Sequence, residues 1–109
     1  MKSVRLRIAA DHPAFAGHFP GRPLLPGAVL LAEVLEAVRA DAELAAAVGA
    51  APRLAVAKFL APVPPGAELS VSFDLTATLL RFEVAHGAAL AASGQFERAP
   101  SAPAVGEIR

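Results

Sequence analysis

Apolar and polar side chains alternate through residues 3–8. The apolar set is Val4, Leu6 and Ile8, and the polar set is Ser3, Arg5 and Arg7. A period of two predicts a strand with one buried face. Asp11, His12 and Pro13 then end this strand, because the residue before a proline avoids the helical region. His12 is interpreted as a turn residue without a catalytic role.

The longest apolar run extends over residues 27–40. Three polar residues, Glu33, Glu36 and Arg39, interrupt it at intervals of three and form one narrow stripe. The rest of the helical surface would be apolar. This pattern predicts a helix that is buried on most of its circumference, as it would be if a sheet wrapped around it.

The remaining pattern predicts a short second helix and further antiparallel strands. The helix covers residues 41–48 and is closed by Gly49. Turns are predicted at residues 64–66 and at His86-Gly87. Two strands are predicted over residues 54–60 and 68–75. A third strand has Leu80, Phe82 and Val84 on its inward face, and the last has Leu90, Ala92, Gly94 and Phe96 on one face. Together these elements predict an α+β domain.

The composition indicates that the domain has a partner. The chain has 109 residues, enough for one domain, which we assign to residues 1–98, with an Ala- and Pro-rich tail over 99–109 that we expect to be frayed. Hydrophobic residues make up 55% and charged residues 18%. This is more apolar surface than one small domain normally buries, so we expect a dimer.

Charge and targeting signals narrow the class of protein. The formal net charge is +0 and basic residues are not clustered, which argues against nucleic acid as a partner. There is no cysteine, and hence no disulfide. The first residues lack the apolar core of a signal peptide, and Glu33, Glu36 and Arg39 interrupt the longest apolar run. We therefore expect a cytoplasmic protein that is not embedded in a membrane.

One stretch carries candidate chemistry. Residues 17–27 read Gly-His-Phe-Pro-Gly-Arg-Pro-Leu-Leu-Pro-Gly and lead directly into the predicted long helix. Glycine allows close approach of the backbone and proline stiffens it, so the loop would hold His18 in one place. The N–H groups and the dipole at the start of the helix suit a carbonyl oxygen. An acid–base site on a carbonyl substrate is one interpretation, and an imidazole that only braces the loop is the other.

Residues 15–27 resemble the signature of the FabA/FabZ family of hotdog-fold 3-hydroxyacyl-(acyl carrier protein) dehydratases. A second match, at Lys58-Phe59, Pro62-Val63 and Pro65-Gly66, resembles that family's entry into its next strand. The short chain is also similar to the small relatives found in aryl-polyene and other polyketide-like clusters. The resemblance implies a hotdog fold, in which an antiparallel sheet wraps around one long central helix, and a dimer with a continuous sheet.

The resemblance also implies roles for individual residues. His18 would handle the α-proton of the acyl group. The N–H groups of Gly27 and Ala28 would bind the thioester carbonyl. Phe19 would form core or tunnel wall. The family's acidic residue, which meets the β-hydroxyl across the dimer, would lie at Ala32, beside the bound substrate.

Alanine at position 32 is a departure from the family pattern. Glu33 lies one residue later, about 100° further around a helix, and Glu36 lies about one turn beyond Ala32. A shifted helix register could bring Glu33 to the substrate, Glu36 could act through a water, or His18 could carry out both proton transfers. The alternative is that Glu33 and Glu36 form a solvent-facing stripe with Arg39.

Three functions remain open at this stage. The first is a 3-hydroxyacyl dehydratase, or the reverse enoyl hydratase, in fatty acid or polyketide-like synthesis. It would need no cofactor beyond the phosphopantetheine of acyl carrier protein or CoA that carries the substrate. The second is a thioester-binding hotdog subunit with little activity, paired with an active dehydratase. The third is an acyl thioesterase. The assembly could be a homodimer, a heterodimer or a higher oligomer.

Overall fold

The structure, a computed structural model, describes residues 2–15 and 24–100. Its elements follow the predicted order, with a short 3-10 turn at Pro13–Phe15 after the first strand. The strands are β1 Lys2–Arg7, β2 Leu54–Phe59, β3 Glu68–Leu75, β4 Leu79–His86 and β5 Ala89–Glu97, and the helices are α1 Gly27–Ala40 and α2 Ala42–Val48. The predicted limits of the long helix are confirmed.

The strands form one antiparallel five-stranded sheet in the order β1-β3-β4-β5-β2. The strands β1 and β2, which come before and after the helices in the chain, therefore lie at opposite edges. Because the chain must travel from one edge to the other between them, α1 and α2 lie across one face of the sheet. The α+β class predicted from the pattern is confirmed.

The turn between β2 and β3 is formed as the sequence predicts. Gly66 has a φ of 77°, and the N–H of Ala67 donates to the carbonyl of Pro64 over 3.3 Å. A turn of this kind favours proline at its second position and requires a residue that tolerates positive φ at its third. Pro65 and Gly66 meet both needs, so β3 begins in a fixed register.

The core lies between α1 and the sheet. Leu30, Val34 and Val38 of α1 are at most 3% exposed and belong to the same cluster as the inward side chains of the sheet. Full burial of such a side chain contributes about 1.5–3 kcal/mol. The sheet residues of this core include Leu69, Val71, Phe73, Leu80, Phe82, Val84 and Phe96.

Helix α1 is fully buried on one face and half-buried on either side of it, so in the single chain the predicted burial around most of its circumference is incomplete. Ala28, Ala32, Glu36 and Arg39 are exposed, and Glu33 is half-buried. The physical reason is that one five-stranded sheet covers only one side of the helix. The apolar composition of the exposed side, at Ala28 and Ala32, is therefore unexplained by the packing of one chain.

The prediction that Leu90 of the last strand shares a face with Ala92 was wrong. Ala92, Gly94 and Phe96 share the buried face, but Leu90 is 37% exposed. The register between β4 and β5 shifts at Val84/Ala85, so that Ala92 pairs with Val84 and Leu90 with Ala85. An extra residue in one strand reverses which face the following side chains occupy. The bulge thus turns Leu90 away from the core.

Helix α2 is tied to the edge strand β1 by one lysine. The carboxylate of Asp41 caps α2 by accepting from the N–H of Leu44 over 3.0 Å. Lys2 Nζ donates to both oxygens of Asp41, over 3.0 and 2.9 Å, and contacts Glu43 Oε1 at 3.0 Å. The hydrogen bond from Leu44 and then that from Lys2 lower the pKa of Asp41 below 3.8, and the bonds to Asp41 and Glu43 raise the pKa of Lys2 above 10.5.

The predicted tail begins with an ordered contact. The N–H of Ala99 donates to the carbonyl of Ala47 over 2.7 Å, which holds this residue against α2. Residues 101–109 lie outside the described part of the chain. Neither helix within residues 2–15 and 24–100 is long and apolar enough to cross a membrane.

The two pKa shifts predict how stability depends on pH. The contribution of Asp41 is fully present above its unfolded pKa of 3.8 and is lost as the pH falls through the lower folded value. That of Lys2 is present below 10.5 and is lost as the pH rises through the higher folded value. We expect Asp41→Asn to lower the melting temperature at neutral pH, and the difference from wild type to shrink in strong acid. Glu97→Gln is the control, and a difference that is constant with pH would contradict the assignment.

Candidate functional site

The first turn of α1 presents two backbone N–H groups that have no acceptor among residues 2–15 and 24–100. Pro26 is the N-cap residue, with φ −60° and ψ 144°, and it has no side-chain acceptor for the helix. Its carbonyl accepts from Val29 over 3.0 Å and from Leu30 over 3.1 Å. Among the described residues, no acceptor faces the N–H of Gly27 or Ala28. These two donors and the positive end of the helix dipole can hold a carbonyl oxygen or an oxyanion.

The chain before the helix is anchored to the loop that follows β2. The N–H of Leu25 donates to the carbonyl of Val63 over 2.9 Å, and both side chains are buried. That loop is itself held to the sheet, because the N–H groups of Leu60 and Ala61 both donate to the carbonyl of Ala91. The start of α1 therefore has a fixed position relative to the end of β2.

An apolar groove lies between these two segments, with a volume of about 630 Å³. Pockets for small ligands usually have about 300–1,000 Å³, so an acyl group fits. Within the described ranges, the lining carries no charged side chain and comprises Leu24, Leu25, Pro26, Gly27, Ala28, Leu30, Phe59, Leu60, Ala61, Pro62 and Val63. An oxygen bound at Gly27 and Ala28 would thus belong to a molecule whose remaining surface is largely apolar.

Phe59 is the largest side chain of the groove. It is 51% exposed and extends from the end of β2 over the first turn of α1. A Cβ atom added to Gly27 would come within 2.7 Å of Phe59 Cζ and 2.9 Å of both Cε atoms. Phe59 belongs to the second motif match, but no role was predicted for it. The signal was Gly27, since a glycine in the first turn of a helix can mark close approach of another group.

Glu33 contacts His12, which was predicted from the sequence to be only a turn residue. His12 Nε2 lies 3.7 Å from Glu33 Oε1, and His12 Nδ1 accepts from the N–H of Ala14 over 3.0 Å. When neutral, the imidazole therefore carries its hydrogen on Nε2, towards the carboxylate. The ring of Phe15 packs against that of His12 at 6.3 Å, nearly perpendicular to it. Glu33 thus has a partner outside the groove.

The other predicted site residues lie on the exposed side of α1 or outside the described part of the chain. Glu36 and Ala32 are exposed on the side of α1 away from the core, and Ala28 lies one turn before Ala32 on this exposed side. His18 and Phe19 lie outside the described residues, so their roles stay predictions. Within the described ranges, no three His, Asp or Glu side chains are grouped as metal ligands.

A second groove, of about 540 Å³, lies on the opposite face of the sheet. Its lining includes four charged side chains, Lys58, Asp74, Arg81 and Glu83. Asp74 is directly opposite Arg81 in the register of β3 and β4. Opposite charges at facing positions are typical of a solvated sheet surface. An acyl chain would gain little there, so the apolar groove is the candidate site.

Comparisons of the sequence agree with the resemblance. The family model described as ApeI dehydratase, of the ApeI-like family, matches residues 2–106. The 3-hydroxyacyl-(acyl-carrier-protein) dehydratase FabZ of Symbiobacterium thermophilum is 31% identical over 74 residues, which are 64% of this chain and 52% of that protein. FabZ of Haemophilus influenzae is 40% identical over 38 residues, 35% of this chain and 25% of that one. The chain thus spans about half or less of the curated relatives it matches.

Solved structures show the same fold. The dehydratase heterocomplex ApeI:P from Xenorhabdus doucetiae contains a chain with a TM-score of 0.72 and 23% identity, covering 90% of this chain and 86% of that one. An uncharacterised protein from Erwinia carotovora has a TM-score of 0.68 and 26% identity, covering 90% and 82%. A mutant of the fluoroacetyl-CoA-specific thioesterase FlK has a TM-score of 0.59 and 17% identity, covering 91% and 87%.

The hotdog fold expected from residues 15–27 is confirmed by these structures. A thioesterase among them indicates that this fold alone does not decide the reaction. The family match is more specific, because it covers nearly the whole chain, including the start of α1 and the end of β2 that enclose the apolar groove. On that match, the chain belongs to the ApeI-like dehydratase family.

Proposed function

We propose that this protein is a dehydratase of 3-hydroxyacyl thioesters, which also catalyses the reverse hydration of 2-enoyl thioesters. The observation that carries the proposal is the pair of N–H donors at Gly27 and Ala28, which open into an apolar groove. Family membership supports the same reaction. A thioester has one carbonyl oxygen to place on the donors and an acyl chain to place in the groove.

The dehydration requires stabilisation of charge on the carbonyl oxygen, removal of the α-proton and loss of the β-hydroxyl group. The carbonyl oxygen accepts from Gly27 and Ala28, which stabilises the negative charge that builds on it when the α-proton leaves. The imidazole of His18 accepts that proton. The electrons of the C–H bond form the new double bond as the C–O bond at the β-carbon breaks, and the hydroxyl group leaves as water after gaining a proton. The thioester stays attached to the phosphopantetheine of acyl carrier protein or CoA, and no further cofactor takes part.

The source of the last proton is the unusual part of this site. Ala32 carries no ionisable group, and Glu33 lies beside His12. We therefore propose that His18 returns to the leaving hydroxyl group the proton that it took from the α-carbon. This route is slower than one with a separate acid, because a positioned general acid typically contributes about 10²–10⁴ in rate.

A second candidate function follows from the edge of the sheet. Among the described strands, β2 lies at the sheet edge and pairs with β5 alone, and its exposed side chains include Leu54 and Val56, each 43% exposed. An apolar edge strand with free backbone groups favours pairing with another strand. The similar chain from Xenorhabdus doucetiae belongs to a heterocomplex. A subunit of low activity, whose hotdog partner contributes the carboxylate that Ala32 cannot, is therefore the alternative.

The primary test is substitution of His18. We expect purified wild type to hydrate a short 2-enoyl thioester. The reaction is measured by the loss of absorbance of the conjugated double bond. His18→Ala should lower kcat by a factor of about 10² or more, because the α-proton then has no acceptor. His86→Ala, in the β4–β5 hairpin, is the control. Equal rates in wild type and His18→Ala would refute the proposal, and release of free thiol would instead identify a thioesterase.

Substitutions on α1 separate the possible acids. Ala32→Asp should raise turnover about tenfold or more if His18 alone protonates the leaving hydroxyl group, because a positioned general acid typically contributes about 10²–10⁴ in rate. Ala40→Asp, at the exposed end of the same helix, is the control. Glu33→Gln and Glu36→Gln should leave turnover within about twofold of wild type. If Glu33→Gln loses as much activity as His18→Ala, Glu33 is the acid and the proposed route is wrong.

The edge strand predicts the oligomeric state. We expect two copies to associate through β2, and Val56→Lys to shift the equilibrium towards single chains, because it brings two positive charges near the shared edge. Analytical ultracentrifugation over a concentration series measures this, with Leu90→Lys on β5 as the control. A wild type that stays a single chain at all concentrations would exclude the homodimer and favour pairing with a different hotdog subunit.

A further inference from the structure

We infer that Phe59 determines substrate specificity in the apolar groove, by excluding thioesters that carry a substituent on the carbon next to the carbonyl. This inference rests on the proposed function and adds to it the class of acyl group that the site accepts. It is based on the contact between Phe59 and Gly27 at the point where the carbonyl would bind.

The register of β2 places the ring on the helix side of the sheet. Phe59 pairs with Ala92, which is 1% exposed and belongs to the core, whereas Lys58 pairs with Ser93 and lines the groove on the opposite face. The backbone at the end of β2 is held by the bond from Leu60 N–H to Ala91. The base of the Phe59 side chain is therefore fixed beside α1, and only its outer half is free.

The gap between the ring and α1 is narrower than one additional carbon atom requires. A Cβ on Gly27 would lie 2.7 Å from Phe59 Cζ, a separation that carbon atoms of separate groups do not adopt. A thioester carbonyl bound to the N–H groups of Gly27 and Ala28 places its α-carbon next to this contact. A substrate whose α-carbon bears only hydrogen can bind after a small rotation of the half-exposed Phe59 ring. A substrate with an α-methyl group can bind only if the ring moves away.

The expected size of the effect follows from the chemistry of apolar pockets. A single methyl group in such a pocket changes kcat/KM by about 10–200-fold. Truncation of Phe59 should remove most of this discrimination, because the three described atoms nearest to the added Cβ all belong to the Phe59 ring. The remaining lining residues include Leu24, Leu60 and Pro62, which provide the apolar walls.

The experiment compares two substrates in matched variants. The kcat/KM for hydration is measured with 2-butenoyl-pantetheine and with 2-methyl-2-butenoyl-pantetheine, and the ratio of the two is compared across variants. Because both substrates are used with every variant, their intrinsic reactivities cancel. We expect Phe59→Ala to lower the preference for the unsubstituted substrate by about tenfold or more. Phe59→Leu should give a smaller decrease, and Leu90→Ala, a truncation of an exposed apolar residue outside the groove, should give none.

A second measurement tests the contact without catalysis. Gly27→Ala should lower the melting temperature in the wild-type background, because its Cβ meets the ring, and should lower it less in the Phe59→Ala background. Phe59→Leu serves the same purpose if Phe59→Ala does not fold. Additive effects of the two substitutions would show that the ring does not restrict this space.

The outcomes separate this inference from the proposed function. If wild type hydrates the unsubstituted substrate but the substrate ratio is the same in all variants, the specificity role of Phe59 is wrong and the dehydratase proposal stands. If wild type hydrates neither substrate, the dehydratase proposal is wrong and the specificity role falls with it. A decreased preference in Phe59→Ala together with non-additive melting temperatures supports both.

Discussion

The packing of α1 against the sheet is the interaction on which the rest of this structure depends. Leu30, Val34 and Val38 enter a core whose largest fully buried side chains are Phe73 and Phe82. Because these side chains fix the axis and rotation of the helix, they also fix where its first turn lies. The candidate site is a consequence of this packing, since the donors at the first turn face a groove whose other wall is the loop after β2.

The same packing determines which side chains on α1 can take part in chemistry. With Val34 buried, Glu33 is turned towards the chain that follows β1, where it contacts His12, and Ala32 is turned to the exposed side. A helix cannot move one side chain to another face without rotating the buried ones. The Glu33 carboxylate therefore lies on a different face of α1 from position 32, and its role as the acid stays a prediction.

Much of the fold could be predicted from local pattern. Pro65 and Gly66 specify their turn because each tolerates the backbone angles that the turn requires, and the limits of α1 follow from the apolar run after Pro26. Leu90 could not be predicted, because the bulge at Val84/Ala85 arises from pairing between two strands and leaves no mark on the alternation within either one. Part of the candidate site could be predicted: Gly27 and Ala28 were expected there from the motif, whereas the close approach of Phe59 to Gly27 was not predicted.

The sequence by itself determined the order of the elements and the family, because these depend on residue type and spacing along the chain. The tertiary structure decided which residues meet. Gly27 and Phe59 are 32 positions apart, and His12 and Glu33 are 21 apart. Their contacts depend on the path of the chain from one edge of the sheet to the other. No local pattern contains that path, since it follows from how α1, β2 and the sheet together bury their apolar faces.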